Sequence, residues 1–348
     1  MRLLQPSLLD EGLRSGLFLV GMRRTGKTTF LRNDLIPELE RRGAAVVYVD
    51  LWSDTRPNPA ATLQAAIRQS IADLNNPPRR KSRPIRTESD DAPLTDDLTD
   101  LVEESRSDVV LIVDEVLEAM NSVEGHQMLQ AIKAARDAIN TRPSSPGHFV
   151  LVGTHSRDDM LHELTMHSEQ AFAGATVIPF PLLDEEYVHH VLARLSAEGE
   201  PFIPTPAAAW EAFQTLGYRP EEFLRALRHL QGDDPMHLDP NQHLALIVKN
   251  LQTQRAEMEL RTVENMGDLA PVILDWMAEG NQPMRGHHVQ EGLQTFSTTL
   301  GRTVSEEEIQ SVLHNLSRKS IIKRLSFAHY TISDPVVLQV WRERRLHG

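Results

Sequence analysis

Along the first half of the chain, apolar residues form short unbroken runs that alternate with stretches of helical period. Gly16 to Gly21 (GLFLVG) is a strand-length run, and in the following TTFLRNDLIPELERRG the residues Phe30, Leu31, Leu35 and Leu39 recur at helical spacing. Ala44 to Leu51 (AAVVYVDL) predicts a second strand after the Gly43 stop, and Asn58 with Pro59 opens a helix carrying Leu63, Ile67, Ile71 and Leu74 on one face. From about Asn75 to Asp97 the chain is rich in Pro and charge, which predicts a mobile excursion with nothing to bury. Val109 to Val113 (VVLIV) is the kind of β-branched run found in a parallel sheet covered on both faces, and is expected to be the central strand. A helix around Gly125 to Asn140, a strand at Phe149 to Gly153, a helix near Arg157 to His167 and a last strand at Ala175 to Phe180 complete the pattern. Five strands alternating with helices predict an α/β class, doubly wound parallel five-stranded domain over residues 1–182.

Beyond residue 182 the period is purely helical, with Tyr187 to Leu195, Ala207 to Leu216 and Pro220 to Leu230 forming a helical domain over 183–238. Asp239 and Pro240 start a long helix, expected to link modules over 239–264. In 265–348, helices at Leu269 to Glu279 and His288 to Leu300 precede SEEEIQSVLHNL, where Ser305 and Glu308 make an S-x-x-E capping box ahead of Ile309, Val312, Leu313 and Leu316. Ser320 to Leu325 and His329 to Ser333, joined through Ser326, Phe327 and Ala328, then read as a β-hairpin. Three helices followed by a hairpin are the order of a winged helix.

Composition narrows the function classes. The 348 residues carry 36 Lys plus Arg against 49 Asp plus Glu, a formal charge of −13, which disfavours a protein that coats duplex nucleic acid. Without cysteine there are no disulfides, thiolate zinc sites, iron–sulfur clusters or thiol nucleophiles, and a reducing cytoplasmic setting fits. No apolar run approaches the roughly 20 residues that span a bilayer, so no membrane partner is expected.

The chemistry concentrates between the first strand and the first helix. Gly21, Met22, Arg23, Arg24, Thr25, Gly26, Lys27 and Thr28 match G-x-x-x-x-G-K-[ST], in the strand–loop–helix context that a phosphate loop requires. Such a loop turns backbone N–H groups and a helix N-terminus toward a β-phosphate. Lys27 reaches the β- and γ-phosphates, Thr28 ligates magnesium through its hydroxyl, and the N–H of Thr29 lies near the α-phosphate. Val109 to Val113 delivers Asp114 and Glu115: Asp114 as the metal-side carboxylate, Glu115 to polarise an attacking water. ATP and Mg²⁺ are the implied cofactors. Thr154, just after FVLVG, is placed to feel the γ-phosphate, with His155 as the competing choice. Arg219, in Gly217-Tyr218-Arg219-Pro220, has the fork of donors to fold over a nucleotide, ahead of Arg225 and Arg228.

Two basic clusters point to partners. Arg79, Arg80, Lys81, Arg83 and Arg86 offer a contact to nucleic acid or an acidic partner, with a solvated loop as the commoner reading of such a run. Lys319, Lys323 and Arg324, with Arg318, Arg342, Arg344 and Arg345 nearby, form the better candidate DNA face, opposed by Glu306, Glu307 and Glu308. The histidine pairs His189-His190 and His287-His288 lack ligand spacing with nearby carboxylates.

GMRRTGKTTFLR, VVLIVDE, FVLVGT, GYRPEEFLRAL and a terminal winged helix, in this order, resemble the AAA+ and STAND P-loop ATPases, especially archaeal-type ATPases and origin-recognition initiators. The resemblance implies Walker A at Lys27 and Thr28, Walker B at Asp114 and Glu115, sensor 1 at Thr154, sensor 2 at Arg219, and a lid role for 183–238. It departs in two places. Only Met1 to Ser15 precede the first strand, leaving Leu3 to Pro6 to cup a base. Leu161 to Pro179 holds no Arg where a ring ATPase carries its finger, a group worth roughly 10³ to 10⁵ in rate, so slow turnover is expected. The pattern therefore favours a STAND-like switch, with an unknown protein partner and ATP-dependent homo-oligomers, over a ring motor. The alternative is an ATP-dependent DNA-binding initiator, loader or regulator acting through the winged helix. A metabolite kinase would leave Asp114, Glu115 and the C-terminal module unexplained.

Overall fold

The computed structural model describes residues 16–51, 58–75, 93–156, 165, 171–232, 239–281, 288–326 and 329–347. The chain divides into two compact units, Met1–Leu183 and Asp184–Gly348.

The first unit is built on five parallel strands: β1 (Leu17–Val20), β2 (Ala45–Asp50), β3 (Val109–Asp114), β4 (Phe149–His155) and β5 (Thr176–Pro179). Their order is β2-β3-β4-β1-β5. The doubly wound character is visible in β3, all six residues of which are buried. Val109, Leu111 and Val113 face one core with Leu63, Ile67, Leu98, Leu101, Met128 and Ile132, contributed by helices Pro59–Asn75, Leu94–Ser105 and Val123–Asn140. Val110 and Ile112 face another, with Leu31, Leu35 and Leu39 of the helix after β1. From Val109 to Val113 the strand is covered on both faces and stays apolar, with the buried Asp114 at its carboxyl end, hence the continuous apolar run.

Three expectations need correction. The middle of the sheet belongs to β4, not to the VVLIV strand, which lies between β2 and β4. The polar excursion ends before residue 94: Leu94–Ser105 is a helix that buries Leu94, Leu98, Leu101 and Val102. The helix after β1 is not uniform, since Leu31–Leu35 forms a π-helical turn between Lys27–Phe30 and Ile36–Arg41. The basic run at 79–86 and most of the expected helix at 157–167 lie outside the described residues.

Gly153 in β4 has a steric reason. A Cβ there would lie 2.3 Å from Cε1 of Phe18, whose ring packs against Phe172 with centroids 5.1 Å apart. Gly153→Ala is therefore expected to destabilise the first unit by about 1–3 kcal/mol, as overpacking does, measurable as a lowered midpoint of urea unfolding.

In the second unit, helices Glu185–Glu198, Pro206–Thr215 and Pro220–Gly232 are joined by the 25-residue helix Pro240–Glu264. Asp239 caps this helix by accepting from the N–H of Asn241 at 3.1 Å. Its early turns pack on Pro206–Thr215 and Pro220–Gly232. Its later residues Ala256, Leu260 and Val263 enter the core formed by Leu269–Ala278, His288–Leu300, Glu306–Arg318 and the antiparallel hairpin β6 (Ile322–Ser326) and β7 (His329–Ile332). Helices followed by a hairpin reproduce the order of a winged helix. Ser305 accepts from the N–H of Glu308 at 3.2 Å, and the Glu308 carboxylate also pairs with Arg302 at 2.6 Å.

A last helix, Pro335–His347, follows the hairpin, although Val337, Val340 and Trp341 already sit at helical spacing in the sequence. It changes the reading of the basic C-terminus. Arg342 donates to the carbonyl of Ala278 at 2.6 Å, Arg344 to Glu264 at 3.0 Å, and Arg345 to Asp275, which also accepts from Trp341 Nε1 at 2.8 Å. These arginines staple the module together, so the basic face is smaller than the sequence implies.

Candidate nucleotide site

Parallel strands bring their carboxyl ends to one edge, where loops converge. Here β4 separates β1, which leads into the glycine-rich loop, from β3, which ends in Asp114 and Glu115. The edge therefore reads phosphate loop, β4 tip, acidic pair.

The loop is compact. Gly26 adopts φ of +101°, open to glycine and strained for other residues, and Arg24 is also left-handed at 65°. At Gly21 a Cβ would come within 3.0 Å of Phe180, so a side chain would press on the segment leaving β5. The Thr25 hydroxyl donates to the carbonyl of Met22 at 2.8 Å. Lys27 is buried, and its ammonium donates to the carbonyls of Gly21 at 2.5 Å and Met22 at 2.8 Å. Burial lowers its pKa, while the charges of Glu115 and Asp114 oppose that shift. A cation whose hydrogen bonds among the described residues go to neutral carbonyls keeps its charge available to an arriving anion. Thr28 and Thr29 are exposed at the start of the helix.

The acidic pair is more heavily tied than the sequence suggests. Asp114 Oδ2 accepts the Thr28 hydroxyl at 2.6 Å and the Tyr48 hydroxyl at 3.1 Å, and Oδ1 accepts the hydroxyl of Thr154. Thr154 in turn accepts the backbone N–H of Glu115 at 3.1 Å. Burial raises the pKa of Tyr48 and the charge of Asp114 adds to it, so the phenol stays protonated and donates. The guanidinium of Arg32 lies 4.8 Å from the centre of the Tyr48 ring.

Glu115 stands in the left-handed region at φ 55°, a strained conformation for a side-chain-bearing residue at a candidate site. Its Oε1 accepts the Ser156 hydroxyl at 2.6 Å, and its Oε2 lies 2.9 Å from Nδ1 of buried His155. Burial pushes the carboxyl upward, but the contacts with His155 and Ser156 outweigh it and hold the pKa at about 2. The base candidate is fully ionised at neutral pH.

The structure thus brings together Lys27, Thr28, Asp114, Glu115 and Thr154 from the sequence-derived set. It adds Tyr48, His155 and Ser156. Of these only His155 was visible beforehand, as a rival to Thr154, and the two turn out to serve different carboxylates. Hard oxygen donors from Thr28 and Asp114 fit a magnesium ion, and the ammonium of Lys27 fits a phosphate.

Arg219 belongs to the second unit. It lies 3.5 Å from Glu222, with its Nε buried and without a hydrogen bond among the described residues. Glu222 also accepts from Arg255 at 3.0 Å, and Arg255 pairs with Asp334. Burial and the neighbouring Arg255 lower the pKa of Arg219.

The loop, the acidic strand and the sheet order agree with the comparison of families: residues 11–161 match the AAA domain. This segment is similar to an AAA domain. The wider similarity concerns the same P-loop NTPase fold. Aeropyrum pernix ORC1, solved in complex with DNA, shares 17% identity over 97% of this chain and 91% of its own, at a TM-score of 0.50. Aeropyrum pernix ORC2, solved in ADPNP–ADP complexes, shares 14% over 96% and 89%, at 0.55. No curated protein matches. At these identities the likeness concerns the fold, which is similar to that of origin-recognition initiators.

Proposed function

We propose that the chain is an ATP-binding and slowly hydrolysing switch of the AAA+/STAND kind. In this reading residues 1–182 bind nucleotide, 183–238 act as the lid, 239–264 link the modules and 265–348 form the winged helix that carries the nucleotide state to a partner protein. The single observation that carries the reading is the joining of Thr28, Asp114 and Thr154 by hydrogen bonds at one sheet edge, beside Lys27 and Glu115. Lys27 binds the β- and γ-phosphates, Thr28 and Asp114 hold magnesium, Thr154 orients Asp114, and Glu115 accepts a proton from water. Magnesium, when bound, supplies charge neutralisation between the phosphates. Arg219 contacts phosphate once it leaves Glu222. The test is ATP binding, phosphate release and solution mass on the full chain. Magnesium-dependent binding with phosphate release is expected, with ATP-dependent oligomers. Absence of binding would sink the reading.

A DNA-binding initiator is the second reading, supported by the fold shared with ORC1 and by exposed Lys319 and Lys323 near the hairpin. With Arg342, Arg344 and Arg345 engaged internally, few phosphate contacts remain. The switch reading expects weak duplex affinity with a shallow salt slope; steep salt dependence in the presence of ATP would favour the initiator.

A further inference from the structure

The tip of β4 holds three consecutive polar residues, each engaged differently. Thr154 serves Asp114 and the backbone of Glu115, while His155 and Ser156 address the two oxygens of the Glu115 carboxylate. We infer that His155 is a positioning residue for Glu115, fixing the water-activating carboxylate relative to the phosphate loop; this rests on the reading of Glu115 as the base.

The geometry has two halves. Toward the loop, the backbone carbonyl of His155 accepts the N–H of Gly21 at 3.2 Å, and His155 pairs with Val20 in the β1–β4 register. Toward the acid, its ring nitrogen Nδ1 approaches Glu115 Oε2 at 2.9 Å, without the alignment of a full hydrogen bond. One buried residue therefore touches the first residue of the phosphate loop through its main chain and the base through its side chain.

The rest of the environment leaves the ring free for that task. Nε2 is buried and has no hydrogen-bond partner among the described residues, so nothing else there competes for the imidazole. Nor is the carboxylate held in place by its own backbone. Glu115 is left-handed, and the chain turns immediately into the 3-10 segment Val116–Asn121. Contacts from β4 must then define where Oε1 and Oε2 point. Ser156 is the second prong, donating at 2.6 Å to the opposite oxygen. A carboxylate gripped at both oxygens loses rotamer freedom before substrate arrives, and an ångström of misplacement at a reacting group can lower a rate a hundredfold. Contacts of this kind tighten in the substrate complex.

The test is ATP turnover by the full chain, with ATP affinity measured separately. His155→Ala is expected to lower kcat about tenfold or more, with KM and ATP affinity within twofold of wild type. His155→Gln, which keeps an N–H donor, recovers part of the rate. In a Glu115→Gln background, His155→Ala adds no further loss, because the histidine acts through the carboxylate. Ser156→Ala, at a less buried position, gives a smaller loss of the same kind and carries the test if His155→Ala does not fold. Wild-type kcat in folded His155→Ala, or an equal loss with Glu115 already replaced, would overturn the inference. If His155→Ala does not fold, wild-type kcat in Ser156→Ala overturns it. Full turnover by Glu115→Gln is the different failure, that of the base reading itself.

Discussion

Lys27→Ala is expected to lose ATP affinity by roughly tenfold to more than a hundredfold, the equivalent of about 1.5–3 kcal/mol for a charge-assisted bond, while the fold persists. The reason lies in what Lys27 does without nucleotide. Its ammonium rests on the carbonyls of Gly21 and Met22, partially desolvated, with no salt bridge among the described residues to break before a phosphate arrives. Alanine removes both the positive charge and the group that gathers the loop. Isothermal titration with ATP and magnesium measures the loss. Wild-type affinity in the variant would mean that the loop is an ordinary glycine turn.

Glu115→Gln is expected to bind ATP as the wild type does and to slow phosphate release by about 10²- to 10⁴-fold, the usual contribution of a positioned general base. The amide is nearly isosteric, and one of its atoms still accepts from Ser156. It cannot take a proton. The substitution also removes a charge that the fold stabilises. With a folded pKa of about 2 against an ordinary 4.5, ionisation of Glu115 contributes stability that is fully present above about pH 4.5 and is lost as pH falls toward 2. The variant is therefore expected to show a smaller loss of unfolding free energy between pH 5 and pH 2 than the wild type. Titration of the urea midpoint across that range checks the sign.

The α/β alternation was legible because β-branched runs and period-3.6 segments follow one another with short gaps, as in VVLIV and the Leu31, Leu35, Leu39 stripe. The strand order was not, since a parallel crossover carries no local mark of which edge it returns to. Hence β4 sits where the VVLIV strand was expected. Leu94, Leu98, Leu101 and Val102 were correctly spaced for a helix, but the Pro- and charge-rich stretch before them hid its start. In the site, the G-x-x-x-x-G-K-T loop and Asp114-Glu115 stand out because phosphate and metal chemistry restrict those residue types. Tyr48 carries no such signal. It looks like any aromatic in a half-buried strand, and only the pairing of β2 with β3 sets it beside Asp114. The arginines of the last helix failed differently: charge is readable from sequence, but the internal partners Glu264, Asp275 and the Ala278 carbonyl are not.

The carboxylate of Glu222 is shared between two guanidiniums, and it holds them unequally. Arg219 stands 3.5 Å from Oε1, whereas Arg255 donates to Oε2 at 3.0 Å and is itself anchored on Asp334 at the start of the last helix. Swinging Arg219 outward would leave Glu222 its hydrogen bond to Arg255, but Arg255 would then face Glu222, Asp334 and Glu259 together, so the departure carries an electrostatic cost that an arriving anion has to offset. Of the two guanidiniums Arg219 is the more loosely moored, and the acidic surplus around it is what draws it back to its berth.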